Sequence, residues 1–133
     1  MSEPFSSRIS GAIARPDVPQ HFMVLQPVGQ RVIVKRGETV VAESGDAVWL
    51  MEAGKTLYPP VIYLPTGDLK VALVSEDKTT HCPLKGDASY FSLPGDEDAK
   101  EFAWSYEDPL AFSQPIKGLI AFYRDKVTVE IAC

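Results

Sequence analysis

Residues 31–51, RVIVKRGETVVAESGDAVWLM, decide the fold class. Val32 and Val34 alternate with Ile33 and Lys35, the period-two pattern of a strand with one face turned inward. Arg36-Gly37 marks a turn, and Thr39-Val40-Val41-Ala42 supplies the return strand of a β-hairpin. Ser44-Gly45-Asp46 then turns the chain into Ala47-Val48-Trp49-Leu50-Met51, an apolar run of strand rather than helix length.

The same grammar continues outward. Val61-Ile62-Tyr63-Leu64 is bounded by Pro59-Pro60 and by Pro65-Thr66-Gly67-Asp68, and Leu69, Val71 and Leu73 repeat at period two, so two more strands are predicted. Ser75 to Asp87 has no periodicity and reads as a long loop, the kind of connection that carries function more often than accident. Ala88 to Leu93 reads as a strand, and Phe102, Trp104 and Tyr106 form an aromatic period-two face expected to pack inward. Asp108-Pro109 is a helix start, with Asp as N-cap and Pro at the first helical position, and Pro115 limits that helix to about two turns. Leu119 to Tyr123, the turn Arg124-Asp125, and Val127, Val129 and Ile131 predict a closing hairpin. Short strands separated by turns, without alternating helices, specify a mainly β chain: compact antiparallel sheets packed at an angle, with one short helix. Toward the N-terminus, Pro4, Pro16, Pro19 and Pro27 discourage helix and central strand alike. Residues 1–28 therefore read as an extended arm and 29–133 as a single β domain.

A chain of 133 residues can bury roughly two-thirds of its unfolded surface. At 45% hydrophobic and 23% charged it lies far from the disordered regime. The formal net charge of −5 opposes the basic footprint of a protein that binds nucleic acid duplexes. It leaves room for a small anionic ligand held by a local pair of lysines. No signal-like run opens the chain and no stretch approaches the ~20 apolar residues of a membrane span. A cytoplasmic protein is expected, with no membrane partner. In a reducing cytosol, and without any C-x-x-C, Cys82 and Cys133 are expected as free thiols.

Thr80-His81-Cys82-Pro83-x-Lys85-Gly86-x-Ala88-Ser89-Tyr90, then Ala103-Trp104-x-Tyr106-x-Asp108-Pro109, then Ile116-Lys117-Gly118 and Ala121-Phe122-Tyr123 form a specific set of motifs. Together with Arg31-Val32, Val41-Ala42-x-Ser44, Glu52 and Tyr63-x-Pro65-x-x-Asp68-Leu69, they resemble the family known as domain of unknown function 427, sometimes labelled nucleotidyltransferase-like. Phe91 and Leu119 stand where that family often has tyrosine. The resemblance implies a compact mainly β fold of the tent-like kind, and no established reaction. Metal-dependent nucleotidyl transfer needs carboxylates holding two ions about 4 Å apart. The one acidic triplet, Asp96-Glu97-Asp98, follows Pro94-Gly95 in a charged turn with no Gly-Ser phosphate motif upstream, so the label supplies no mechanism.

The loop Thr80-His81-Cys82-Pro83-Leu84-Lys85-Gly86 is the densest chemistry in the sequence. Cys82 is a candidate nucleophile if His81 or Lys85 lowers its pKa, and equally a buried structural thiol. His81 is a candidate acid or base, or a side chain satisfying carbonyls; neighbours in extended chain point opposite ways, so it is not automatically the base of Cys82. No metal site is assigned, because a catalytic zinc takes about three protein ligands and only His21 and Cys133 stand outside the loop. Lys85-Gly86 and Lys117-Gly118 are candidate anion anchors, with Ser89, Thr79 and Thr80 as hydroxyl donors; the alternative is that both lysines snorkel and both glycines mark turns. Tyr63, Tyr90, Trp104, Tyr106, Phe122 and Tyr123 can floor a pocket for a planar ligand, with Glu52 and Asp68 orienting its polar edges, or can simply be core. The leading expectation is a small-molecule pocket around the loop, selecting an anionic or nucleotide-like ligand, with any cofactor unknown. An enzyme acting through Cys82 or His81, and an interaction module docking a partner on an edge strand or the Pro-rich arm, are the alternatives. A homo-oligomer is compatible with the sequence.

Overall fold

In the computed structural model, residues 4–132 are described; the expected free thiol of Cys133 lies outside them. The chain is mainly β. Its strands are β1 (Ile13–Ala14), β2 (Phe22–Pro27), β3 (Val32–Arg36), β4 (Thr39–Ser44), β5 (Val48–Ala53), β6 (Val61–Pro65), β7 (Val74–Cys82), β8 (Gly86–Ser92), β9 (Ala103–Ser105), β10 (Leu119–Phe122) and β11 (Thr128–Ile131). Eight of them form an antiparallel sheet in the order β1-β2-β5-β6-β10-β9-β8-β7, and β11-β3-β4 form a second. No helix among the described residues is long and apolar enough to cross a membrane.

Strand alternation sorts the large sheet into two faces. Ile62, Leu64, Ala103, Ile120 and Phe122 meet Val32, Val34, Val41 and Ala42 of the small sheet, with Phe102 and Phe122 packed edge to face at 5.4 Å. Their alternates Leu50, Tyr63, Ala88, Tyr90 and Ala121 turn to the other side, where Met23, Leu84, Tyr106 and Ile116 join them. The charged residues of the small sheet stay outside: Lys35 pairs with Glu130 across β3 and β11.

The hairpin β3–β4 forms as expected, around Gly37 with φ 59°. Several other expectations are corrected. Leu119–Phe122 and Thr128–Ile131 are both strands but do not pair: β10 sits between β6 and β9, while β11 crosses to β3. Residues 22–27, read as part of an extended arm, form β2, hydrogen-bonded between β1 and β5. Pro16 and Pro19 precede this strand and Pro27 is its last residue, so none interrupts it, and Met23 is fully buried.

Leu69, Val71 and Leu73 make no strand; a single bridge joins Leu69 to Ala42, and all three pack on the core between the sheets. Ser75–Cys82, read as loop, belongs to the edge strand β7 paired with β8, so the connection shrinks to residues 83–85. Phe102, Trp104 and Tyr106 do not share a face. Phe102 enters the core between the sheets, whereas Trp104 and Tyr106 turn to the opposite side. The helix starts later than Asp108-Pro109 predicts: it is a 3-10 segment, Ala111–Ile116, with Leu110 at its N-cap, no side-chain cap, and Pro115 inside.

Candidate ligand-binding pocket

On the large-sheet face turned away from the small sheet lies a pocket of about 990 Å³. Its floor follows from strand parity: Val48, Leu50 and Glu52 of β5 share a face, as do Val61 and Tyr63 of β6 and Trp104 and Tyr106 in and after β9. Tyr63, Tyr90, Trp104, Tyr106 and Tyr123 supply the aromatic lining. The rings hold one another. Trp104 lies 6.2 Å from Tyr63 in an edge arrangement and 4.6 Å from Tyr123, and its Nε1 donates to the Tyr63 hydroxyl at 3.0 Å. The Tyr90 hydroxyl shares a 2.7 Å hydrogen bond with Thr80 Oγ1.

Lys85 is aimed into this pocket by the turn that carries it. Ser113 Oγ donates to the Leu84 carbonyl at 2.6 Å and the Leu110 amide to the Lys85 carbonyl at 3.0 Å, pinning the turn under the 3-10 segment. Gly86 takes φ 115°, and a Cβ there would meet the Leu110 amide nitrogen at 3.2 Å. Glycine is required here by conformation and by close backbone approach, not by a ligand.

The buried Lys85 ammonium donates to Glu52 Oε1 and lies 5.5 Å from the Tyr106 ring centroid. The second oxygen, Glu52 Oε2, accepts from His21 Nε2 at 2.8 Å. On the far side of that imidazole, Arg15 Nη1 reaches Nδ1 at 3.5 Å. A guanidinium only donates. With Nδ1 accepting, the Nε2–H tautomer of His21 is the one whose N–H meets Glu52. Burial opposes charge on both members of the central pair, and the pair overcomes it. Glu52 is held below the usual carboxylate range by Lys85 and His21, and Lys85 above its ordinary value by the Tyr63 hydroxyl and Glu52. Burial also raises the phenols: Tyr106 well above its ordinary value, and Tyr123 up to about 12. Both are neutral hydroxyls at physiological pH.

Of the residues singled out in the sequence, the structure brings Glu52, Tyr63, Cys82, Lys85, Tyr90, Trp104, Tyr106 and Tyr123 to this one cavity, with His81 at its rim. His81 is exposed and pairs through Nδ1 with Asp87 Oδ1 at 2.8 Å. Cys82 is a half-buried free thiol on the pocket side; no basic side chain is hydrogen-bonded to it among the described residues. The others lie elsewhere. Lys117 and Gly118 line a separate cavity of about 400 Å³, so the two Lys-Gly pairs do not form one cradle. Asp68 accepts from Ser44 Oγ at 2.6 Å, tying the 3-10 turn after β6 to the end of β4. Ser89 has the opposite parity to Ala88 and Tyr90 and turns away from the pocket. No group of three or more His, Cys, Asp or Glu side chains placed to hold a metal ion occurs among the described residues.

Sequence reasoning missed Arg15, His21 and Tyr58 as pocket residues. Arg15 and His21 flank the loop between β1 and β2, joined by the Arg15 amide donating to the His21 carbonyl at 3.0 Å. Their relevance appears only when β2 pairs with β5 and sets His21 against Glu52. A search of curated proteins found no match. A family model described as a domain of unknown function (DUF427) matches residues 24–132, a span that holds both sheets' main strands and the Lys85–Glu52 pair, and the chain belongs to that family.

Proposed function

We propose that this protein binds a small anionic molecule carrying a planar ring, with the ring against Trp104 and Tyr106 and its polar edge at Lys85. One observation carries the reading. In a chain of net charge −5, the pocket lining holds Arg15, Lys55 and Lys85 against Glu52 as the sole carboxylate among the described residues. A local excess of positive charge over aromatic surface, inside an acidic protein, is the pattern of an anion site rather than of a solvated face. One Lys85 N–H is engaged by Glu52, and the ammonium keeps two donors for a ligand oxygen.

A thermal-shift screen tests this with mononucleotides, aryl phosphates, aryl carboxylates, ring-free phosphates and neutral rings, on the wild type and on Lys85→Met. A ligand at 100 times its dissociation constant adds about 2.7 kcal/mol to stability. The expected result is a response to ringed anions far larger than to ring-free phosphates or neutral rings, lost in Lys85→Met. A response to none of these classes, or one that Lys85→Met retains in full, contradicts it.

A further inference from the structure

The family match begins at residue 24, yet the pocket wall does not. Arg15, Val18, Gln20 and His21, from the loop between β1 and β2, line it as well. Arg15 is the charged member of that wall: its side chain is 19% exposed, against 71% for its partner Asp17. Asp17 accepts from Nε at 3.3 Å and from Nη2 at 2.9 Å, and His21 takes a third contact from Nη1. A guanidinium carries five N–H donors in a fixed fork, so two remain uncommitted among the described residues. The Asp17 carboxylate already demonstrates what this guanidinium takes, a planar oxyanion held by two parallel donors.

We propose that Arg15 is a specificity-determining residue of this pocket, engaging the terminal oxyanion of the ligand (phosphate, sulfonate or carboxylate) while Lys85 meets the edge of its ring system. The inference rests on the ligand reading above and adds to it a second anchor outside the family-matched residues. Asp17 is a restraint on that anchor. Its negative charge, in contact with the guanidinium, lowers the local attraction for a ligand anion. A guanidinium and an ammonium are not equivalent here, since only the former presents a planar fork.

Calorimetric titration with two matched probes tests the assignment: 1-naphthyl phosphate, and 1-naphthol, which keeps the ring and lacks the anion. Arg15→Lys is expected to weaken 1-naphthyl phosphate roughly ten-fold and to leave 1-naphthol within about two-fold. Asp17→Asn, a change at an exposed position, is expected to strengthen 1-naphthyl phosphate roughly two- to five-fold, again without moving 1-naphthol. A merely structural Arg15 would shift both probes together. If 1-naphthyl phosphate binds the wild type and depends on Lys85, but neither Arg15→Lys nor Asp17→Asn changes its affinity, the assignment of Arg15 falls and the pocket reading stands. If 1-naphthyl phosphate does not bind the wild type at all, both fall.

Discussion

The two faces of the eight-stranded sheet are made by the same strands and have opposite characters. Toward the small sheet, Ile62, Leu64, Ile120, Phe102 and Phe122 close against Val32, Val34 and Val41. Away from it, the alternate positions carry Glu52, Tyr63, Tyr90, Trp104, Tyr106 and Tyr123 around open volume. Stability and the candidate site are thus separated by side-chain parity, not by domain or by loop. A change one residue along a strand moves from one property to the other.

The largest break in that separation should come from the core face. Phe102→Ala removes a fully buried ring and is expected to cost about 3–5 kcal/mol, read as a lowered denaturant midpoint, while the ligand profile of the surviving fold is unchanged. On the pocket face, Lys85→Met leaves Glu52, whose side chain is 13% exposed, with His21 alone. Breaking such a pair costs about 3 kcal/mol, and Lys85→Met combined with Glu52→Gln should recover most of it, because both charges then leave together. If the double variant is no more stable than the single one, Glu52 and Lys85 are not the coupled unit described above.

The pair also sets a pH dependence. Glu52 has a folded pKa below its ordinary 4.5, so its contribution is fully present above that value and is lost as pH falls through the depressed folded value. Lys85 is raised above its ordinary 10.5, so its contribution is intact below that value and lost only at more alkaline pH. The stability gap between wild type and Glu52→Gln is therefore expected to be flat near neutrality and to shrink below pH 4.5; urea melts across pH 3–7 measure it. A gap that stays constant down to pH 3 would be incompatible with an ion-paired Glu52.

The smallest effect is expected at Gly54, where an added Cβ would stand 3.3 Å from His21 Cδ2. Gly54→Ala should change stability by less than about 1 kcal/mol and displace the imidazole from Glu52. That displacement is read as a shift of the His21 ring resonances, larger than the shift at the exposed His81.

Much of this arrangement was legible in the sequence, and the omissions have physical causes. The hairpin at 32–44 was readable because its pairing is local, one turn fixing both strands. The closing hairpin was misread because a turn signal at Arg124-Asp125 says that the chain reverses, not which partners it finds. Leu119–Phe122 is apolar at every position, as suits an interior strand with a neighbour on each side, whereas Thr128–Ile131 alternates with polar residues as an edge strand does. β7 was invisible for the complementary reason. Its residues SEDKTTHC are mostly exposed at the sheet edge, and hydrophobic periodicity cannot mark a strand that buries little.

At the site, Glu52, Tyr63, Lys85, Tyr90, Trp104 and Tyr106 were identifiable from residue chemistry and from resemblance to the family. Their assembly was not. Lys117 and Asp68 carry the same chemistry as the residues that do converge and differ only in where tertiary pairing puts them. Arg15 and His21 stand in a proline-punctuated stretch, and nothing local in it announces a strand whose register delivers His21 to Glu52.

The most direct measurement of the central claim is a backbone and indole amide NMR titration of the isotope-labelled protein with 1-naphthyl phosphate. The expected shifts gather on the amides of Glu52, Tyr63, Lys85 and Tyr106 and on the Trp104 Nε1–H, while Trp49 Nε1–H, on the core face, stays still. Shifts centred instead on the Lys117 cavity or the β7 edge, or no saturable shifts anywhere, would contradict the assignment of the aromatic face as the binding site.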